Sequence, residues 1–394
     1  MKVGKNIGVG DLRLTKADKN AVLRVLNSNR LSYGPVTKEF ESEFSRIHES
    51  KFAVFTNSGT SSLQIALSAL KDKYGWNDGD EVIVPAITFV ATSNTVIQNN
   101  LKPVFVDVER DTFNIDTTKI EEAITANTRA IIPVHLLGLP ASMGPIMRIA
   151  RKHRLRVIED SAETMFARYK GKVVGSFGDI GCFSTYIAHY IVTGVGGMNT
   201  TSNSDLAVRL RSLMNHGRDS IYISIDDDAT TDGGKLKEII QKRFSFVSLG
   251  YSYRATEMEA ALGLSQLKRK NEIVSRRKVI AAKYLKGLSD LGEYLQFQYT
   301  PPDRENVYML FGVVSKSKQK VELVNFLEQN KIETRDLLPL INQPIYKKLY
   351  GNMEYKYPVA NYLNNSAFYI GCHQYLANKD VDYVIRTFHK FFRR

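Results

Sequence analysis

The sequence predicts an α/β protein with one large, mostly parallel sheet and a smaller C-terminal α+β domain. Three observations carry that expectation. From residue 51 onward, short apolar runs alternate with stretches of helical periodicity, the pattern of a parallel sheet with helices on its faces. Several of these runs end in small-residue turns or in a single carboxylate. The chain, at 394 residues, is long enough for a sizeable core and two domains. The expected boundaries are 1–255 for a large domain with an N-terminal arm, 256–289 for a connecting long helix and 290–394 for the small domain.

Composition narrows the classes. With 43% hydrophobic and 24% charged residues and no low-complexity tract, the chain reads as an ordinary globular protein. No run approaches the ~18 apolar residues of a membrane span, so no membrane partner is expected. Two cysteines, Cys182 and Cys372, are too few for a disulfide framework and point to a reducing cytoplasm. The formal charge of +13 raises the question of nucleic acid. Its densest cluster, Lys268-Arg269-Lys270 with Arg276-Arg277-Lys278, reads as the solvated face of a helix. No nucleic-acid motif accompanies it. A basic field also attracts small phosphate-bearing molecules.

Taken in order, residues 1–50 read as an arm and two helical stretches, joined by the loop Leu31-Ser32-Tyr33-Gly34-Pro35. Phe52–Thr56 is a compact strand, and Asn57-Ser58-Gly59-Thr60 turns into a helix with apolar positions Leu63, Ala66, Leu67 and Leu70. Free amides and a positive dipole at that helix start suit a phosphate; a plain N-cap by Ser58 or Thr60 is the other reading. Strands follow at Glu81–Ala86, running on to Thr88 and Phe89, at Pro103–Val108, and at Ala130–His135. The next strand, Arg156–Asp160, ends in a carboxylate. Ligands in open α/β sheets collect at such carboxyl ends, although an aspartate there can also cap a helix. Ile180–Thr185 is another strand, followed by His189 and by Gly194-Val195-Gly196-Gly197. That glycine run lacks the βαβ start of a dinucleotide fingerprint and reads as a tight backbone return. Beyond a helix at Leu206–Met214 and a polar segment at 219–242, a long helix is expected from Thr256 to about Leu285. The small domain opens with strands at Glu293–Tyr299 and Val307–Ser315, then a helix at Gln319–Asn330 and the run Ile332–Asp336.

Phe183-Ser184, Tyr186 and Gly194–Gly197 fall in register with a pattern of the DegT/DnrJ/EryC1/StrS group, the sugar-nucleotide aminotransferases and dehydratases that this chain resembles over nearly its full length. The resemblance implies the fold type I architecture of the aspartate aminotransferase-like, pyridoxal phosphate (PLP)-dependent transferases. Most relatives carry a lysine where His189 stands. A lysine amine can anchor the cofactor covalently; an imidazole cannot, but it can exchange a proton near neutral pH. In this family a histidine here resembles the 3-dehydratases of deoxysugar biosynthesis. His189 is therefore the expected catalytic residue, with the cofactor held non-covalently and most usefully as pyridoxamine phosphate (PMP).

The resemblance implies further roles, residue by residue. Ser58, Gly59, Thr60 and Ser184 would hold the cofactor phosphate. Phe89 would cover the ring face and Asp160 would pair with the pyridine nitrogen. Glu163, where many relatives have glutamine, would bond the ring hydroxyl or orient His189. Ser252 replaces a common asparagine in a run that reaches a neighbouring subunit's site, which implies a homodimer with shared active sites. Tyr33, His216 and Arg218 fall in family-like runs expected near substrate. Arg335 would bind the sugar diphosphate or an amino donor's carboxylate, unless it is a surface arginine. His135 of His135-Leu-Leu-Gly138 is expected to be structural. The two cysteines argue against an iron–sulfur cluster. The implied activity is C3 dehydration of a nucleotide-linked 4-keto-6-deoxyhexose, with glutamate as amino donor, in 3,6-dideoxysugar biosynthesis for surface polysaccharide. The alternatives are an aminotransferase that uses histidine in place of lysine and an inactive B6-binding scaffold.

Overall fold

The computed structural model describes residues 6–32, 34–219, 232–242, 244–317 and 319–393. Its strands are β1 (Phe52–Thr56), β2 (Glu81–Pro85), β3 (Lys102–Val106), β4 (Thr128–Ile131), β5 (Arg156–Asp160), the small hairpin β6 (Arg168–Tyr169) and β7 (Lys172–Val173), β8 (Ile180–Ser184), β9 (Gly197–Thr201), β10 (Leu295–Phe297), β11 (Leu310–Ser315), β12 (Thr334–Asp336) and β13 (Ala367–Gly371). Its helices are α1 (Lys16–Asn27), α2 (Pro35–Ile47), α3 (Gly59–Tyr74), α4 (Val90–Gln98), α5 (Met143–Lys152), α6 (Ser204–Met214), α7 (Gly233–Lys242), α8 (Glu257–Leu267), α9 (Lys270–Gly287), α10 (Lys320–Gln329), α11 (Pro344–Tyr350), α12 (Pro358–Ser366) and α13 (Asn378–Phe392).

The large sheet has the order β1-β9-β8-β5-β4-β2-β3. Within it β2, β3, β4, β5 and β8 run parallel to one another, and β9 runs antiparallel to both β1 and β8. Six strands therefore point the same way, and the carboxyl ends of β1, β2, β5 and β8 open on one edge of the sheet. The strands are buried on both faces, as parallel strands flanked by helices must be. Helix α3 buries Leu63, Ile65, Ala66, Leu67, Ala69 and Leu70 in the main core, and it ends at Gly75 in the left-handed region.

A second sheet, β10-β11-β13-β12, is antiparallel throughout and packs a separate core with α9, α10 and α13. The stretch expected as one long helix from Thr256 is two. Helix α8 starts with a capping box between Thr256 and Glu259, and the chain leaves helical geometry at Arg269 before α9 begins. The basic cluster on α9 is not uniformly solvated either: Arg277 is only 1% exposed. The N-terminal arm crosses between the two sheets. Ile7 bridges Ile332, and the Val9 amide donates to Glu333 Oε2 at 2.8 Å. Among the described residues no helix is long and apolar enough to cross a membrane.

Candidate active site

A cavity of about 420 Å³ lies at the carboxyl edge of the large sheet. Its lining includes Ser58, Gly59, Thr60, Phe89, Asp160, Glu163, Ser184 and His189, which the fold collects from four separate strand ends. The second sheet closes the far side with Met309, Leu310 and Tyr369, and the arm contributes Val9. No lysine or arginine lines the cavity among the described residues.

One end is built for an anion. Ser58 caps α3, its Oγ accepting from the Ser61 amide at 3.0 Å. The amides of Gly59 and Thr60, the first two of the helix, have no acceptor among the described residues. Ser184, the last residue of β8, faces them. A Cβ on Gly59 would stand 2.7 Å from Ser184 Cβ, so only glycine lets the serine approach the helix start. Gly197 serves the same packing from β9, because a Cβ there would lie 2.2 Å from the Ser58 carbonyl oxygen. Two hydroxyls, two free amides and a helix dipole form a cradle that suits a phosphate.

The centre is built for a protonated ring nitrogen. Asp160 is 4% exposed; its Oδ2 accepts from Thr92 Oγ1 at 2.7 Å and its Oδ1 from the Ala162 amide at 3.2 Å. Burial raises its pKa above the usual carboxylate range, and the Thr92 hydroxyl works against that rise. A cation beside this carboxyl would offset the cost of burying it. Phe89 stands at the N-terminus of α4 with its ring 58% exposed to the cavity, a flat apolar wall. The donor set fits PLP or PMP.

The third wall carries the proton chemistry. His189 closes a turn whose amide bonds the Tyr186 carbonyl at 2.9 Å, and its ring is half-buried with Nδ1 lacking any partner in the structure. Burial, together with the positive charge of Arg277, lowers its pKa to about 4, while the Ala162 carbonyl favours the protonated form. Glu163 moves the other way. Burial raises it to about 7, against the Leu137 amide that donates to its Oε2 at 2.9 Å. At neutral pH the imidazole is uncharged and free to accept a proton, and Glu163 is near its midpoint.

The remaining predicted residues lie elsewhere. Tyr33 is outside the described residues. Ser252 and His216 meet at Arg254, whose Nη2 donates to Ser252 Oγ at 3.0 Å and lies 3.3 Å from His216 Nε2. That group sits beside the end of β1, where Asn57 donates to the Tyr253 carbonyl, but it does not line the cavity of the same chain. Arg218 stands by the rings of Phe244 and Phe246. Arg335 pairs with Glu333 and bonds the Thr334 carbonyl; it is one strand away from the cavity, opposite Tyr369. His135 is fully buried, 3.2 Å from Glu159, which also accepts the amides of Gly175, Phe177 and Gly178. Sequence reasoning passed over Thr92, Tyr369, Val9 and Arg254. Thr92 alone carried a local signal, since it lies one helical turn after Thr88, whose hydroxyl it contacts at 2.7 Å.

Comparison with known proteins places the chain among sugar-modifying enzymes. RfbH, a lipopolysaccharide biosynthesis protein of Salmonella typhimurium, is 34% identical over 404 residues, covering 99% of this chain and 91% of its own. GDP-perosamine synthase of Caulobacter vibrioides is 33% identical over 384 residues, covering 96% of each chain. The solved structure of E. coli GDP-4-keto-6-deoxy-D-mannose-3-dehydratase with bound hydrated PLP aligns with a TM-score of 0.87 at 27% identity, over 97% of this chain and 99% of that one. Residues 13–389 match the DegT/DnrJ/EryC1/StrS aminotransferase family, and the chain belongs to it: a PLP/PMP-dependent, sugar-modifying enzyme family with an aminotransferase-like fold.

Proposed function

We propose that this protein removes the C3 hydroxyl of a nucleotide-linked 4-keto-6-deoxyhexose, using non-covalently held PMP whose amine is replenished from glutamate. The observation that carries this reading is the side chain on the 186–189 turn. It is an imidazole with a buried, unpartnered nitrogen, in a cavity lined by no lysine among the described residues. A lysine amine would tether the cofactor and serve amino transfer; an imidazole is restricted to moving protons.

Bound in the cavity, the cofactor would supply an electron sink that lets a hydroxyl leave from the sugar carbon next to the one joined to its amine. Ser58, Ser184 and the amides of Gly59 and Thr60 hold its phosphate. Asp160 keeps the ring nitrogen protonated, and Thr92 orients that carboxyl. Phe89 covers the ring face. His189 takes a proton at the C4′ carbon and returns it to the departing hydroxyl. Glu163 bonds the ring hydroxyl or steadies the imidazole. The 3,6-dideoxy product class suits surface polysaccharide, the setting of the Salmonella relative.

The GDP-perosamine synthase relative favours a second reading, amino transfer to the same class of sugar. One experiment separates the two: incubation with PMP, glutamate and a panel of NDP-4-keto-6-deoxyhexoses, followed by mass analysis of the sugar. A deoxy product is expected, and an amino sugar supports the second reading. PMP binding without turnover would mark a scaffold. His189→Asn should lose about 10²-fold or more in dehydration while still retaining PMP on gel filtration. Near-normal turnover by that variant, or borohydride linkage of the cofactor to a lysine, would overturn the proposal.

A further inference from the structure

Arg277 is a buried cation that the proposed chemistry does not use. It is 1% exposed, and no carboxylate pairs with it among the described residues. An uncompensated buried charge is costly, and proteins retain one only with well-made hydrogen bonds or for a purpose. The hydrogen bonds it makes among the described residues all go to neutral acceptors. Nε donates to Gln374 Oε1 at 2.9 Å, Nη1 to the Met309 carbonyl at 2.7 Å, and Nη2 to the carbonyl of His189 at 3.2 Å. The guanidinium also stands 4.7 Å from the ring centroid of Tyr190, whose hydroxyl donates to the Glu163 carbonyl at 3.2 Å. One side chain on α9 thus links the His189 turn to the start of β11 and to the segment after β13.

We infer that Arg277 is a positioning residue for His189, its planar fork fastening the backbone of the histidine's turn against the second sheet. The inference rests on His189 being the proton carrier. A fork of fixed geometry can hold two carbonyls at once, which a lysine cannot do in the same way. The missing carboxylate has a second consequence. An ion pair would cancel the guanidinium's field, whereas here the field reaches the imidazole and disfavours its charged form. The other groups facing His189 are Tyr186 and Tyr190 from its own turn, Asp160 and Glu163 from the end of β5 and beyond, and Tyr369 of β13. Arg277 is the only cation among these groups, so its removal changes the imidazole in one direction.

The test uses two variants that separate fork from charge. Arg277→Lys keeps the charge and loses the fork; Arg277→Met loses both at similar volume. [13Cε1]histidine labelling of the cofactor-free chain reports each imidazole, and His189→Asn identifies the relevant signal among the seven histidines. In Arg277→Met the His189 midpoint should rise toward the ordinary histidine value. In Arg277→Lys it should stay near the wild-type value while kcat falls about tenfold with KM and PMP retention unchanged. Should Arg277→Met fail to fold, Arg277→Lys decides alone: kcat within about twofold of wild type overturns the inference. A His189 midpoint that is the same in Arg277→Met and wild type overturns its electrostatic part. A chain that transaminates instead of dehydrating leaves the titration comparison standing, so failure of the proposed function is distinguishable from failure here.

Discussion

Glu163 and His189 face one cavity with midpoints displaced in opposite directions, and each displacement is a statement about stability. The glutamate's folded pKa of about 7 lies above its ordinary 4.5, so between those values the folded chain binds more protons than the unfolded one. Its contribution therefore falls as pH rises through that window. His189, lowered to about 4 from 6.5, does the reverse: it costs stability as pH falls from 6.5 toward 4. His48, lowered by burial to about 3, and His373, lowered to about 4, act in the same sense as His189. Glu163→Gln removes the opposing contribution. Its melting temperature relative to wild type should climb between pH 5 and pH 8 in the cofactor-free chain, by up to about 3 kcal/mol in stability terms. A constant difference across that range would show that Glu163 is not held protonated. At this scale the sequence was informative where chemistry follows from residue type at a strand end, as at Asp160 and Ser184. It misplaced Arg277 on a solvated helix face, because a cation in a Lys/Arg cluster gives no local sign of being buried against a second sheet. Tyr369 and Val9 enter the cavity from opposite ends of the chain, and no spacing rule connects them.

Helix α3 shows how one element serves both folding and binding. Its start must satisfy its own amides and still leave some for a ligand, and Ser58 does the first by capping Ser61 while Gly59 and Thr60 remain free. The two roles can be separated. Ser58→Ala should cost about 1 kcal/mol of stability by loss of the cap, and Ser58→Gly only a few tenths. Both variants lose the hydroxyl and should weaken PMP binding to a similar degree. Thermal melts of the cofactor-free chain alongside PMP titrations would check this; if Ser58→Gly bound PMP like wild type, the serine would be a cap alone. The strand at Phe52–Thr56 was legible because a strand buried on both faces is a nearly continuous apolar run, whereas Arg156–Asp160 has only Val157 and Ile158 apolar and was legible from its place in the alternation of strands and helices. Strand β9 was not. Gly197-Met-Asn-Thr-Thr201 has one apolar side chain and no strand was expected there, directly after the Gly194–Gly197 run read as a backbone return, yet all five residues are buried. Most of its polar side chains find partners outside the sheet, with Asn199 Nδ2 donating to the Ser62 carbonyl, Thr200 Oγ1 to the Gly175 carbonyl and Thr201 Oγ1 to the Asp179 carbonyl, while Asn199 Oδ1 stays unpartnered. The break at Lys268–Arg269 was equally hidden, because neither residue disfavours helix.

At the scale of the whole molecule, we propose a homodimer with shared sites, and the distribution of charge and apolar surface supports that proposal. A cofactor phosphate and a sugar diphosphate need cations, but the described lining of the cavity has none. A cationic group beside the end of β1, Arg254 with His216 and Ser252, lies outside the cavity of its own chain. Around it the surface is apolar: Phe244, Phe246, Val247 and Leu249 are all exposed, Leu249 at 97%. Large apolar side chains exposed this close together in sequence are what an interaction surface would use. In a two-fold dimer the same surface meets itself, and a loop outside one chain's cavity can complete its partner's. Shared sites make a sharp prediction. Arg254→Ala and His189→Asn should each abolish most turnover as homodimers. When the two are unfolded together, refolded and assayed, half of the dimers are mixed, and in each mixed dimer one site has both His189 and Arg254 intact. Activity should recover to about one quarter of wild type by that statistical count. If each chain builds its site alone, the mixture stays as inactive as its components; near-normal turnover by Arg254→Ala on its own would instead show that the group at Arg254 has no part in catalysis.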